Sequence, residues 1–189
     1  TLVEHFDTIA SDLSKVILKS KNSFIVEIGA NDGSFIKALQ KNGYQALGID
    51  PATNVVSSAI KKGVPIVNDY FTEKLALRIV KKYGKADAIY SFHSLAHIED
   101  MHDVIKGVKK LLKKNGFLAM EVHYLGDLID KLQYDMIYHE HLSYLSVRPL
   151  DKFFKKFGMQ IFDVVKTPVH GGSIRIFVKF ICCLFFFFF

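Results

Sequence analysis

The segment Phe24-Ile-Val-Glu-Ile-Gly-Ala-Asn-Asp-Gly-Ser34 constrains this chain more than any other: a short apolar run ends around an acid, Glu27, and breaks into a turn bounded by Gly29 and Gly33. A buried strand feeding a glycine turn and then a helix lets backbone N–H groups approach a ligand closely, and the helix N-terminus adds positive potential there. The pattern predicts a nucleotide or cofactor cradle at one end of a sheet.

The same strand-then-helix grammar runs on through the chain. An amphipathic helix over Thr1 to Ser20 precedes the strand Phe24 to Ile28, and Ser34 to Gly43 reads as a helix closed by glycine. There follow a strand over Gln45 to Asp50, a helix from Pro51 to Lys62, a strand over Val64 to Asn68 and a helix from Thr72 to Tyr83. Ala86 to Ser91 is the fourth strand. Val104, Ile105, Val108, Leu111 and Leu112 give a periodic helix over Asp100 to Lys114, ended by Asn115-Gly116, and Phe117 to Val122 is the fifth strand. Beyond it, a helix over Leu125 to Gln133, an aromatic and histidine-rich insert over Tyr134 to Ser146 and a helix over Pro149 to Phe157 lead to two closing strands, Gln160 to Lys166 and Ser173 to Lys179. Short connections between alternating elements predict an α/β, Rossmann-like, seven-stranded, mostly parallel sheet with helices on both faces and its last strand antiparallel. The expected organisation is an N-terminal helix over 1–21, one domain over 22–179 and an aberrant apolar tail over 180–189.

Composition narrows the partners. The net charge of +6 is carried by lysines scattered along helices, as at Lys106, Lys109, Lys110, Lys113 and Lys114, with no aromatic-basic motif, so solvated helix faces rather than a nucleic-acid surface are expected. The only cysteines, Cys182 and Cys183, are adjacent, which leaves neither a disulfide framework nor a spaced metal-binding pair and fits a reducing cytoplasm. The Phe-rich ending is shorter than the ~18 residues of a membrane-span candidate. It reads as a frame-shifted or truncated terminus, and no membrane partner is expected.

In an open α/β sheet the ligand sits outside the carboxyl ends of the strands. The residues to inspect are therefore Glu27 to Gly33, Asp50, Asp69-Tyr-Phe71, Ser91 to His97, and His123-Tyr124. Asp50 follows Gly29 by 21 positions, close to the about 20 of an acid that binds ribose hydroxyls. The alternative is an N-cap of the next helix, before Pro51. Asp69, Tyr70 and Phe71 are placed to edge an adenine, although Phe71 could simply pack in the core. Metal ligation is not expected: His139 with His141, and His93 with His97, lack a Cys or carboxylate set at metal spacing.

The first turn, Gly29-Ala-Asn-Asp-Gly33, is not the dinucleotide pattern G-x-G-x-x-G and resembles instead the first motif of class I S-adenosyl-L-methionine (SAM) methyltransferases. With Val26 to Gly33, Gly48-Ile-Asp-Pro-Ala52, Ala96-His-Ile98, Ile137-Tyr-His-Glu-His-Leu-Ser-Tyr144 and His170-Gly-Gly-Ser-Ile-Arg175, the chain resembles the sugar-nucleotide C-methyltransferases of deoxysugar biosynthesis. Members of that family carry a cysteine-rich zinc domain before this core and another domain after it, so the chain is expected to correspond to a catalytic core.

The resemblance implies SAM as cofactor, held by Glu27, Gly29, Asn31, Gly33, Asp50, Asp69, Tyr70 and Ser91, and a small sugar-nucleotide substrate. It implies His141 as the general base, with Glu140 and Tyr138 beside it. Methylating carbon needs a carbanion equivalent, which a base near neutral pKa supplies as an enolate next to a ketone. Tyr138 could donate to the enolate oxygen. His170, Gly171, Gly172 and Arg175 could meet a diphosphate, or the glycines could form only a tight turn. One departure stands out: where that family has a pair of asparagines after the fourth strand, this chain has Phe92-His93. An O- or N-methyltransferase and a non-catalytic SAM-binding domain remain as alternatives.

Overall fold

The computed structural model describes residues 1–16 and 22–181. A seven-stranded sheet forms from β1 (Phe24–Ile28), β2 (Gln45–Ile49), β3 (Ile66–Val67), β4 (Ala86–Phe92), β5 (Leu112–His123), β6 (Met159–Thr167) and β7 (Ser173–Phe180), in the order β3-β2-β1-β4-β5-β7-β6. Strands β3 to β5 pair in parallel, while β7 inserts antiparallel between β5 and β6. This is the Rossmann-like arrangement expected, with the last strand reversed.

Strand side chains alternate between two layers. Phe24, Val26 and Ile28 of β1 join a core under α4 (Glu73–Tyr83), α5 (Met101–Leu111) and α7 (Val147–Lys155). Ile25 points the other way, into a core shared with α1 (Leu2–Val16), α2 (Ser34–Lys41) and α3 (Thr53–Lys61). Caps stop the helices where the sequence signals stand. The Thr72 hydroxyl accepts from Leu75 N (3.1 Å), and Gly84 takes a positive φ after Tyr83.

One boundary moves substantially. The helix expected through Lys114 ends at Leu111, and β5 starts at Leu112, which pairs with Ala86 across an irregular register before Phe117 pairs with Ala88. Leu112 fits the helical period and is fully buried, but its extended backbone turns it into the sheet. Lys113 Nζ then reaches both carboxylate oxygens of Asp87 at 2.8 Å. Asn115-Gly116 thus lies within an irregular strand, where a Cβ on Gly116 would press against Asp87 O. After β5 comes the short α6 (Leu125–Asp130), which ends before the expected Gln133. Phe180, assigned to the tail, completes β7 opposite Met159. The expected helical residues 17–20 and the tail over 182–189, with Cys182 and Cys183, lie outside the described residues. Among the described residues no helix is long and apolar enough to cross a membrane.

Candidate functional site

A cavity of about 750 Å³ opens at the carboxyl ends of β1, β2, β4 and β5, roofed by Leu2, Val3 and Phe6 of α1. At its β1 end the chain reverses tightly: Gly29 N and Ala30 N both donate to Ile49 O (2.8 and 3.1 Å). Gly29 has φ +80°, and a Cβ there would overlap the Ser94 side chain. Glycine is therefore demanded twice, by dihedral and by space.

The acids of this half are fixed by backbone donors. Asp50 Oδ2 accepts from Asn31 N (2.9 Å) and Oδ1 from Ala52 N (2.8 Å). Asp50 therefore ties the first turn to the residues that lead into α3, and it also lines the cavity. Glu27 is 3% exposed and lines the wall, and its Oε2 has no hydrogen-bond partner. Burial, and then the charges of Asp32 and Asp50, push its carboxyl well above the usual range. Asp69 pairs with Arg78 and accepts from Tyr70 N (2.9 Å), while Tyr70 stands exposed at the rim. Phe71 lines the cavity and packs in the core as well. Gly33 and Ser91 lie off the wall: Gly33 turns the chain against Val64, and Ser91 is buried in β4.

The other half is built from histidines. Glu121 of β5 is 1% exposed and accepts from Arg175 Nη2 (2.7 Å), Arg175 Nε (3.0 Å) and His5 Nε2 (3.0 Å). Burial raises its carboxyl, but His93, Arg175 and His5 outweigh that and bring it down to about 2. Arg175 is therefore committed to Glu121 rather than presented to the cavity. His93, His97 and His170 line this half, and His123 packs between His93 and His141 at ring-centroid distances of 4.8 and 5.2 Å. Burial first, and then its histidine neighbours, lower His123 to about 4. Among the described residues no three His, Cys, Asp or Glu side chains are placed to hold a metal ion.

The sequence-derived catalytic trio lies one layer behind this wall. His141 is 8% exposed; its Nδ1–H donates to Met136 O (2.9 Å), and its Nε2 accepts from the Tyr138 hydroxyl (3.1 Å). His97 covers it at a ring-centroid distance of 4.9 Å, with its Nδ1–H donating to Glu140 O (2.9 Å). It is the Glu140 backbone that enters the site, while its carboxylate faces solvent. Gly171 and Gly172 lie off the wall in a tight turn, where Gly171 O accepts from Lys131 Nζ (2.7 Å) and Gln133 Nε2 (3.0 Å). Sequence reasoning missed Glu121, His5 and the α1 roof. An acid inside the apolar strand Leu118-Ala-Met-Glu-Val122 was a usable signal for the first, since unpaired buried carboxylates are rare. Nothing local marks His5.

A family profile described as "Methyltransferase domain" matches residues 4–164. The chain belongs to the SAM-dependent methyltransferases. This methyltransferase is 33% identical to the C-methyltransferase NovU of Streptomyces niveus over 93% of its own length and 45% of NovU. It is 24% identical over 72% of its length to a methyltransferase of Alkaliphilus oremlandii, covering 65% of that protein. It thus spans less than two thirds of either curated relative. Its fold matches magnesium protoporphyrin IX methyltransferase from Synechocystis PCC 6803, solved with S-adenosylhomocysteine (SAH) bound, at TM-score 0.68 and 17% identity over 94% of this chain and 83% of that one. The cofactor of this methyltransferase is SAM, and the β1 half suits it: a buried, unpartnered carboxylate oxygen on Glu27 calls for a cationic donor, which an amino acid ammonium supplies.

Proposed function

We propose that this methyltransferase is the catalytic core of a C-methyltransferase acting on a nucleotide-linked keto-deoxysugar through a base-generated enolate. In this reading Glu27, Gly29, Asn31 and Asp50 hold the cofactor, with Asp69 and Tyr70 at its adenine edge and Gly33 and Ser91 shaping the turn and strand behind it. When bound, SAM supplies an electrophilic methyl group on a sulfonium.

The observation that carries the reading is the tautomer of His141. A carbonyl oxygen only accepts, so the contact with Met136 O places the proton on Nδ1 and leaves Nε2 as the basic nitrogen. The Tyr138 hydroxyl now occupies Nε2. A substrate carbon that displaces it is deprotonated there, and Tyr138 is released to hydrogen-bond the developing enolate oxygen. Glu140 holds His97 against the base through its backbone. An O- or N-methyltransferase needs no such base, and likeness to a C-methyltransferase over most of the chain supports carbon as the acceptor. His170, Gly171 and Gly172 border the sugar end, and Arg175 acts there through Glu121. The test is methyl transfer from labelled SAM to a panel of nucleotide-linked keto-deoxysugars. A carbon-bound methyl is expected, and labelling of oxygen or nitrogen alone would overturn the proposal.

A further inference from the structure

Among the described residues four other than glycine hold positive φ: Asn31 (49°), His93 (56°), Leu132 (52°) and His170 (50°). Three of them line the cavity described above, Asn31 in the cofactor turn and the two histidines opposite. Left-handed backbone costs free energy in a residue with a Cβ and gathers where a side chain must be aimed for function. His93 is pinned in that conformation by its own N–H, which donates to Glu121 O at 2.8 Å.

The His93 ring is also left unsatisfied. Its side chain is 16% exposed, and both nitrogens are buried without a hydrogen-bond partner. Nε2 lies 3.4 Å from Glu121 Oε1, outside hydrogen-bond geometry but near enough for the carboxylate to favour an N–H dipole on that nitrogen. A carboxylate accepts and cannot donate, so the proton of the neutral ring belongs on Nε2, and Nδ1 keeps its lone pair. The His170 ring stands edge-on over His93 at 4.6 Å, carried by its own left-handed residue and itself partly exposed. A buried acceptor with no donor, on a cavity wall beside the exposed His170 ring, awaits a donor from outside.

Building on the enolate reading above, we propose that His93 is a specificity-determining residue: its Nδ1 accepts a hydrogen bond from a hydroxyl or amino group beside the ketone of the substrate sugar. Glu121 is the positioning residue that fixes which nitrogen accepts, and His170 swings aside as the sugar seats. An imidazole oriented by Glu121 accepts only, so this chain selects donor-bearing sugars.

The experiment compares matched nucleotide-linked keto-deoxysugars that differ only in a hydroxyl or a hydrogen beside the ketone, with kcat/KM measured for each on one variant at a time so that partial unfolding cancels in the ratio. The wild-type chain is expected to favour the hydroxyl-bearing member by tenfold or more. His93→Phe brings the ratio to within about twofold, and His93→Asn retains several-fold discrimination. A His93→Phe variant that keeps the wild-type ratio overturns the assignment of His93 while leaving the C-methylation reading intact. A wild-type chain that turns over no member of any pair overturns both, and the two failures are told apart by whether any rate is seen.

Discussion

The two halves of the cavity are built on different principles. Around β1 and β2 the site is made of backbone and short acids close in sequence: Gly29 and Ala30 donate to Ile49 O, and Asp50 answers Asn31 N. Around β4, β5 and β7 it is made of long side chains from distant segments, with His5 and Arg175 meeting Glu121 across 116 and 54 residues. The first half suits a ligand that stays the same, because a backbone turn is hard to alter by substitution. The second can be retuned one side chain at a time, as substrate choice requires.

The comparison breaks most visibly at His141. If the β4–β7 half carries the chemistry and the β1 half the cofactor, His141→Ala lowers methyl transfer by about 10²–10⁴-fold while SAH affinity, read by calorimetry, is retained. A next, smaller effect falls on stability. Glu121→Ala leaves Arg175 without its partner in a nearly buried setting, so denaturant unfolding should show a loss of about 3–5 kcal/mol. The same change removes the carboxylate that holds His5, leaving that ring only its contact with Arg175, so the α1 roof should become more accessible to amide exchange.

The cofactor half is sharpened by pH. Glu27 must lose its proton to pair with an ammonium, and its carboxyl is held above the ordinary 4.5. SAH affinity should therefore rise with pH through that raised range, by up to about tenfold per pH unit, with release of a proton. Glu27→Gln flattens the profile. The histidine layer carries a pH dependence of the opposite half. His123 titrates near 4 in the fold and near 6.5 when unfolded. The unfolded chain binds the proton first, so His123 contributes stability above pH 6.5 that is lost as pH falls from 6.5 to about 4. His123→Phe should remove that part of the acid dependence of the melting temperature.

The same contrast governs what the sequence could reveal. The first turn and Asp50 were legible because strand, glycine and acid follow one another at spacings fixed by local geometry, and the sheet followed from strand–helix alternation. The start of β5 was not, since Leu112 satisfies both a helical period and a buried strand, and the ion pair of Lys113 with Asp87 that accompanies the strand is a long-range contact. The histidine layer was legible only in part. His141 and Tyr138 came through family likeness, whereas the packing of His93, His123 and His170 on one another joins three strand ends that no local pattern relates. Arg175 looked like a free cation for the same reason. Its partner lies on the neighbouring strand, at a register that only the folded sheet sets.

The most direct test of the account is exchange of the substrate α-proton into D2O, followed by NMR on nucleotide-linked keto-deoxysugars with SAM withheld. Exchange at one carbon beside the ketone, lost in His141→Ala, is the predicted result. Methyl transfer from SAM to oxygen or nitrogen, with no exchange at any carbon, would contradict it.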